Sequence, residues 1–147
     1  MIQKSFLFPL IALSVQLILF TELSAQCKSF TKNKCMKDLG EFNSNGQYNG
    51  AVMFQGEEAT LMQTFYSGQK YKLMICSQSS ISESLFFEVQ DYRNNLIYSS
   101  DGTDKNDFEF DVESTQQLKI RIVIPDNVSG SQIKKNGCVS VIVGFQE

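Results

Sequence analysis

DFEFDVESTQQLKIRIVI, residues 107–124, alternates apolar and polar side chains almost without a break. Phe108, Phe110 and Val112 fall on one side of an extended chain, and Leu118, Ile120, Ile122 and Ile124 resume the pattern after a polar link. A two-residue period marks half-buried strands of an antiparallel sheet, one face on a core and the other in water. The stretch also predicts a hairpin. If Val112 faces Leu118, then Phe110 meets Ile120 and Phe108 meets Ile122 on the core side. The same register sets Asp111 opposite Lys119 and Glu109 opposite Arg121 on the outer side. Both faces agree, and such agreement specifies a register.

The same period recurs outward from this stretch. Tyr71, Leu73 and Ile75 share a face, as do Leu85, Phe87 and Val89, and again Val139, Val141, Val143 and Phe145. Less regular strands lie around Ala51 to Gln55, Ala59 to Tyr66 and Leu96 to Ser99. Ser67-Gly68, Arg93-Asn94-Asn95, Asp101-Gly102 and Ser129-Gly130 supply turns between them. About eight short strands in roughly 100 residues predict an all-β fold, an antiparallel β-sandwich or jelly roll. Ahead of it, Cys27 to Leu39 is helix-tolerant and basic (Lys28, Lys32, Lys34, Lys37), with Gly40 as its stop and a polar loop over Asn43 to Gln47.

The N-terminus reads as an export signal. A weakly basic start at Met1 to Lys4 leads into an apolar run from Phe6 to Phe20, and Leu23-Ser24-Ala25 offers a small-residue cleavage site. The run is shorter than the ~20 residues of a membrane-spanning helix and contains Pro9 and Gln16, so a retained anchor is the lesser alternative. Gln26 between Ala25 and Cys27 spoils a lipidation pattern. The expected organisation is a signal peptide over 1–25, a basic N-terminal segment over 26–46 and a β-sandwich domain over 47–147.

Removing the leader leaves 122 of the 147 residues and takes away one lysine and one glutamate, so the net charge stays at −3. That length suits one domain with its own core. The acidic balance gives no reason to expect nucleic acid or an anionic membrane surface as partner. No membrane span is expected after cleavage.

Cys27, Cys35, Cys76 and Cys138 all lie beyond the leader, and an even count in an exported chain reads as two disulfides. Zinc is disfavoured: the chain has no histidine, and its closest cysteine pair is separated by seven residues. Cys76 and Cys138 are out of phase with the core residues of their strands and so point outward. Cys27 and Cys35 on one helix would stand ~12 Å apart, beyond disulfide reach. Two arrangements remain. Each N-terminal cysteine bridges to the sandwich, stapling the basic segment over a sheet, or a broken helix allows Cys27–Cys35 with Cys76–Cys138.

The absence of histidine excludes imidazole-based triads and histidine-bound metal. Acid–base chemistry would fall to carboxylates such as Glu57, Glu58, Asp91, Asp101, Asp104 and Asp107, as in glycoside hydrolysis. None forms a recognisable catalytic constellation. The expectation is therefore a protein that is not an enzyme and has no cofactor. Asp101, Asp104 and Asp107 are dense enough in oxygen donors for calcium, although Asp, Asn and Gly are also ordinary turn formers. Tyr48 and Tyr66, with Glu57 and Glu58, are the candidate ligand-binding residues. Phe65 is in phase with Leu61 and reads as core, whereas Tyr66 is out of phase and reads as surface. Asn127-Val128-Ser129 fits a glycosylation sequon that matters only in a eukaryotic source.

Gly56-Glu57-Glu58-Ala59-Thr60-Leu61, Phe65-Tyr66-Ser67-Gly68-Gln69-Lys70-Tyr71 and Phe87-Glu88-Val89-Gln90-Asp91 follow one another along the chain. With Phe108-Glu109-Phe110 and the strand from Ile120 to Ile124, they make the region from Gln47 to Phe145 resemble the bacterial pre-peptidase C-terminal type of β-sandwich. The chain also looks like small exported bacterial proteins without an assigned activity. The resemblance implies a domain that accompanies secreted hydrolases and aids substrate binding or export, sometimes with calcium. The sequence departs from it in lacking a catalytic partner domain and in carrying four cysteines and a basic N-terminal segment. Short motifs of this kind speak to architecture more than to activity.

Three classes of function follow. The first is an exported non-catalytic binding module for a glycan, a peptide or an envelope protein. The second is a structural or assembly protein of the envelope that works through sheet edges. The third is a small carboxylate-dependent hydrolase.

Overall fold

Alternating side chains build two antiparallel sheets in the computed structural model, which describes residues 22–81, 85–126 and 133–147. Helix α1 (Glu22–Phe30) runs into a wider turn at Thr31–Cys35 and a tighter one at Met36–Leu39, and stops at Gly40, whose φ of 63° admits glycine readily. Nine strands follow among the described residues: β1 (Asn43–Ser44), β2 (Asn49–Phe54), β3 (Glu58–Phe65), β4 (Gln69–Ser77), β5 (Phe86–Gln90), β6 (Leu96–Ser99), β7 (Asp107–Val112), β8 (Gln116–Val123) and β9 (Asn136–Gln146). The first sheet runs β1-β9-β4-β7, with β2 sharing the β1 edge of β9; the second runs β3-β8-β5-β6. The fold is the all-β sandwich that the alternation predicts. Its first strand begins at Asn43, ahead of Gln47, where the sequence pattern starts the sandwich domain.

The inward phases hold. Phe65, Leu73, Phe87, Val89 and Ile120 are completely buried, and Tyr71, Ile75, Leu118, Ile122, Val139, Val141 and Val143 join them in one core. Aromatic rings tie the sheets together: Phe65 meets Tyr71 edge-on at 4.9 Å, and Tyr98 of β6 stacks on Phe108 of β7 at 4.2 Å.

The predicted hairpin does not form. β7 pairs with β4, with Phe110 opposite Tyr71 and Phe108 opposite Leu73, whereas β8 lies in the other sheet between β3 and β5. The link over 113–115 crosses between layers instead of turning within one. The charges find other partners: Glu109 pairs with Lys70 at 2.9 Å, and Arg121 pairs with Glu58 at 2.6 Å and Glu88 at 3.1 Å. Alternation fixes which way a side chain faces, and β4 and β5 offered complementary charges as good as those on the neighbouring strand.

The cysteines resolve in favour of the strap. Cys27 bridges Cys138 and Cys35 bridges Cys76, with Cα separations of 5.3 and 5.8 Å, so the N-terminal segment is bolted across the outer face of the first sheet. A second small core forms beneath it from Cys35, Leu39, Met74 and Ile142. Met74 and Ile142 are apolar residues on the outward phase, and the strap is what keeps them dry. At Gly144 a side chain would have no room: a Cβ there would lie 2.7 Å from Cβ of Phe42 and 2.8 Å from Cδ2 of Leu39. Two disulfides belong to an oxidising compartment, in keeping with a secreted or periplasmic protein. Among the described residues no helix is long and apolar enough to cross a membrane. The leader up to residue 21, the turn at Ser129-Gly130 and the sequon at Asn127 lie outside the described residues. Helix α1 begins on the leader side of the expected cleavage point after Ala25.

Candidate functional site

An interruption in one sheet edge creates the site. β1 pairs with Phe145 and Gly144 of β9, and β2 resumes only at Val141, so residues 45–48 leave the ladder. Local side-chain bonds hold this break: the N–H of Gln47 donates to Oδ1 of Asn45 at 3.0 Å, and the N–H of Gly46 to Oγ of Ser44 at 3.0 Å. Asn45 stays tethered to β9 by its N–H to the Val143 carbonyl at 3.1 Å.

A cleft of about 860 Å³ opens between this break and strand β3. One wall is Asn45, Gln47, Tyr48 and Asn49; the other is Leu61, Met62, Gln63, Thr64 and Tyr66; Gln69, Tyr71, Val143 and Phe145 complete the lining. That volume lies within the range of small-ligand and peptide clefts. The hydroxyl of Tyr71 organises the base. It accepts the Tyr66 N–H at 3.0 Å and donates to Oε1 of Gln69 at 2.6 Å, which fixes where Tyr66 leaves the end of β3. Tyr66 itself is 62 % exposed, as its phase predicts, while Phe65 is fully buried. Lys28 Nζ stands 6.0 Å from the centroid of the Tyr48 ring.

Among the described residues the lining holds no charged side chain. It has five amides, three tyrosines and one threonine, and the rest is apolar. Amides present donor and acceptor together, and tyrosines present a flat apolar face with a polar tip. The chemistry suits a neutral ligand rich in both donors and acceptors.

Of the predicted ligand-binding residues, the fold brings together Tyr48 and Tyr66 and separates the other two. Glu57 and Glu58 sit at the opposite end of β3, where Oε2 of Glu57 accepts the Phe54 N–H at 2.9 Å and Glu58 is held by Arg121. The three aspartates do not converge. Asp107 pairs with Lys72 at 3.1 Å, Asp104 lines a separate hollow beside Ser100 and Thr103, and Asp101 is exposed on the turn. Among the described residues no three His, Cys, Asp or Glu side chains are grouped to hold a metal ion.

Asn45 and Gln47 line the cleft without any mark in the alternation. Gln63 carried a signal. It is in phase with Leu61 and Phe65, so an amide interrupts what should be an apolar face, and that is where the cleft lies.

No family model matches the chain, and no curated protein matches it. Among solved structures the chain is similar to Aeromonas hydrophila PliG, a periplasmic lysozyme inhibitor of g-type lysozyme. The two are 14% identical with a TM-score of 0.48, over 72% of this chain and 89% of that one.

Proposed function

We propose that the protein is an exported, non-catalytic binding module that takes its ligand in the cleft between the break at residues 45–48 and strand β3. The uncharged amide and tyrosine lining is the observation that supports this reading. The ligand is a neutral glycan, a peptide or a segment of an envelope protein, each of which offers hydroxyls or amides for that lining. The carboxylates that a hydrolase would need stand elsewhere: Glu58 and Glu88 are both engaged by Arg121, and Asp107 by Lys72.

Two-dimensional amide NMR of the oxidised mature domain tests the site. Pools of neutral oligosaccharides, uncharged peptides and envelope extract should shift resonances over residues 45–49 and 61–69. The double variant Tyr48→Ala/Tyr66→Ala should abolish those shifts. Shifts centred instead on the charged outer face around Arg121 would place binding elsewhere and end this reading.

A further inference from the structure

Sheet edges invite pairing, and three of the edges here are blunted. β7 carries Asp107, Glu109 and Asp111. β6 has four residues, and its register with β5 shifts at Val89/Gln90. The edge made by β1 and β2 is interrupted between Ser44 and Asn49. β3 has none of these devices. Its eight residues pair with β8 in an unbroken register, it contains no Gly or Pro, and after Glu58 it has no charge.

The free side of β3 faces the cleft. Four consecutive residues, Leu61 to Thr64, line it, which the side chains of one sheet face cannot do alone. Backbone groups of alternate residues point away from a paired neighbour in an antiparallel ladder. The Thr64 carbonyl accepts the Gln63 side-chain amide at 3.2 Å, and the Tyr66 N–H goes to Tyr71, so the even-numbered residues are the outward set. Met62 belongs to that set, and no described residue hydrogen-bonds its outward N–H and C=O.

Resting on the cleft reading above, we infer that the ligand is an uncharged, extended peptide segment that adds to β3 as a fifth strand of its sheet. Its backbone pairs with Met62 and its neighbours, and the amides of the opposite wall take its outer side. Leu61 to Thr64 span about 13 Å at ~3.3 Å per residue, which sets the paired core at four or five residues. Such addition draws affinity from main-chain bonds and selectivity from the flanking side chains.

The probe is a phage-displayed library of linear decapeptides built from uncharged residues, screened on the oxidised mature domain, with chitotetraose as the neutral glycan. Selected peptides should bind Asp101→Ala, on the exposed turn away from the cleft, about as well as the parent. They should lose roughly tenfold or more on Met62→Pro, which removes one outward N–H and leaves the β8 ladder intact. Peptides N-methylated at alternate positions should show the same loss, and they decide the matter if Met62→Pro does not fold. Peptides that tolerate both changes but need Tyr66 would overturn strand addition and leave the cleft standing. Chitotetraose binding at the cleft without any selected peptide would overturn the peptide and also leave the cleft. A concentration-dependent dimer abolished by Met62→Pro would make a second copy the occupant and overturn the inference. If neither probe binds, the inference and the cleft reading fall together.

Discussion

Thr31 and Ser140, 109 residues apart, share a hydroxyl–hydroxyl hydrogen bond of 2.5 Å in which both residues are completely buried. The hydroxyl of Thr31 also donates to the Cys27 carbonyl at 2.8 Å, and a hydroxyl has one proton, so Ser140 must be the donor of the shared bond. The contact sits between the two disulfides and presses the strap onto β9. Thr31→Val strands the Ser140 hydroxyl and should cost about 1–3 kcal/mol. Ser140→Ala leaves Thr31 its bond to Cys27 and should cost about 1 kcal/mol. Urea unfolding of both single variants and the double should show the double costing less than their sum. Strict additivity would mean that the pair is not coupled.

The strap's disulfides close sequence separations of 111 and 41 residues. On the chain-entropy account these restrict the unfolded chain by about 5 and 4 kcal/mol respectively. Cys27→Ser/Cys138→Ser should therefore lower stability more than Cys35→Ser/Cys76→Ser. Either pair should also raise binding of a hydrophobic dye, because the strap no longer seals Met74 and Ile142. A paired variant with parental stability and no dye binding would show that the strap holds without its bolts.

Asp91 organises the turn from β5 to β6. Its carboxylate accepts the Asn95 side-chain amide at 2.8 Å and the N–H groups of Arg93 and Asn95 at 2.8 and 2.9 Å. The Asn95 amide above all holds its pKa below the ordinary 3.8. A depressed carboxylate contributes stability that is present above its unfolded value and is lost as pH falls through the folded one. Carbon-detected NMR titration should show Asp91 returning toward its ordinary value in Asn95→Ala. An unchanged titration would assign the depression to the backbone donors.

Calcium should leave the thermal midpoint of the chelator-treated domain where it is, because Asp107 is committed to Lys72 and the aspartates do not converge. Differential scanning calorimetry with and without calcium is the check. A ligand bound only to the folded state at 100 times its dissociation constant would add about 2.7 kcal/mol. A rise that Asp101→Asn or Asp104→Asn removes would make the acidic turn a binding site after all.

Much of the fold was legible because side-chain facing is a local property. Phe108, Ile120 and Val141 announce their inward side by period alone, and Cys76 and Cys138 announce their outward side by breaking it. Part of the site was legible for the same reason: Tyr66 is exposed because it falls out of phase with Leu61 and Phe65. The meeting of Tyr48 and Tyr66 was not legible. It depends on where β1 stops pairing with β9 and on which sheet β3 joins, and neither leaves a periodic trace.

The sequence by itself determined an exported, disulfide-bearing, all-β chain and the inner face of its regularly alternating strands, since compartment signals and alternation act over a few residues. Only the tertiary structure decided that β7 pairs with β4, that the N-terminal cysteines bridge outward, and that no described strand covers the outer edge of β3 beside the cleft. Those choices are made between segments far apart in the chain, where several partners offer equal apolar faces and equal charges, and simultaneous packing of both layers selects among them.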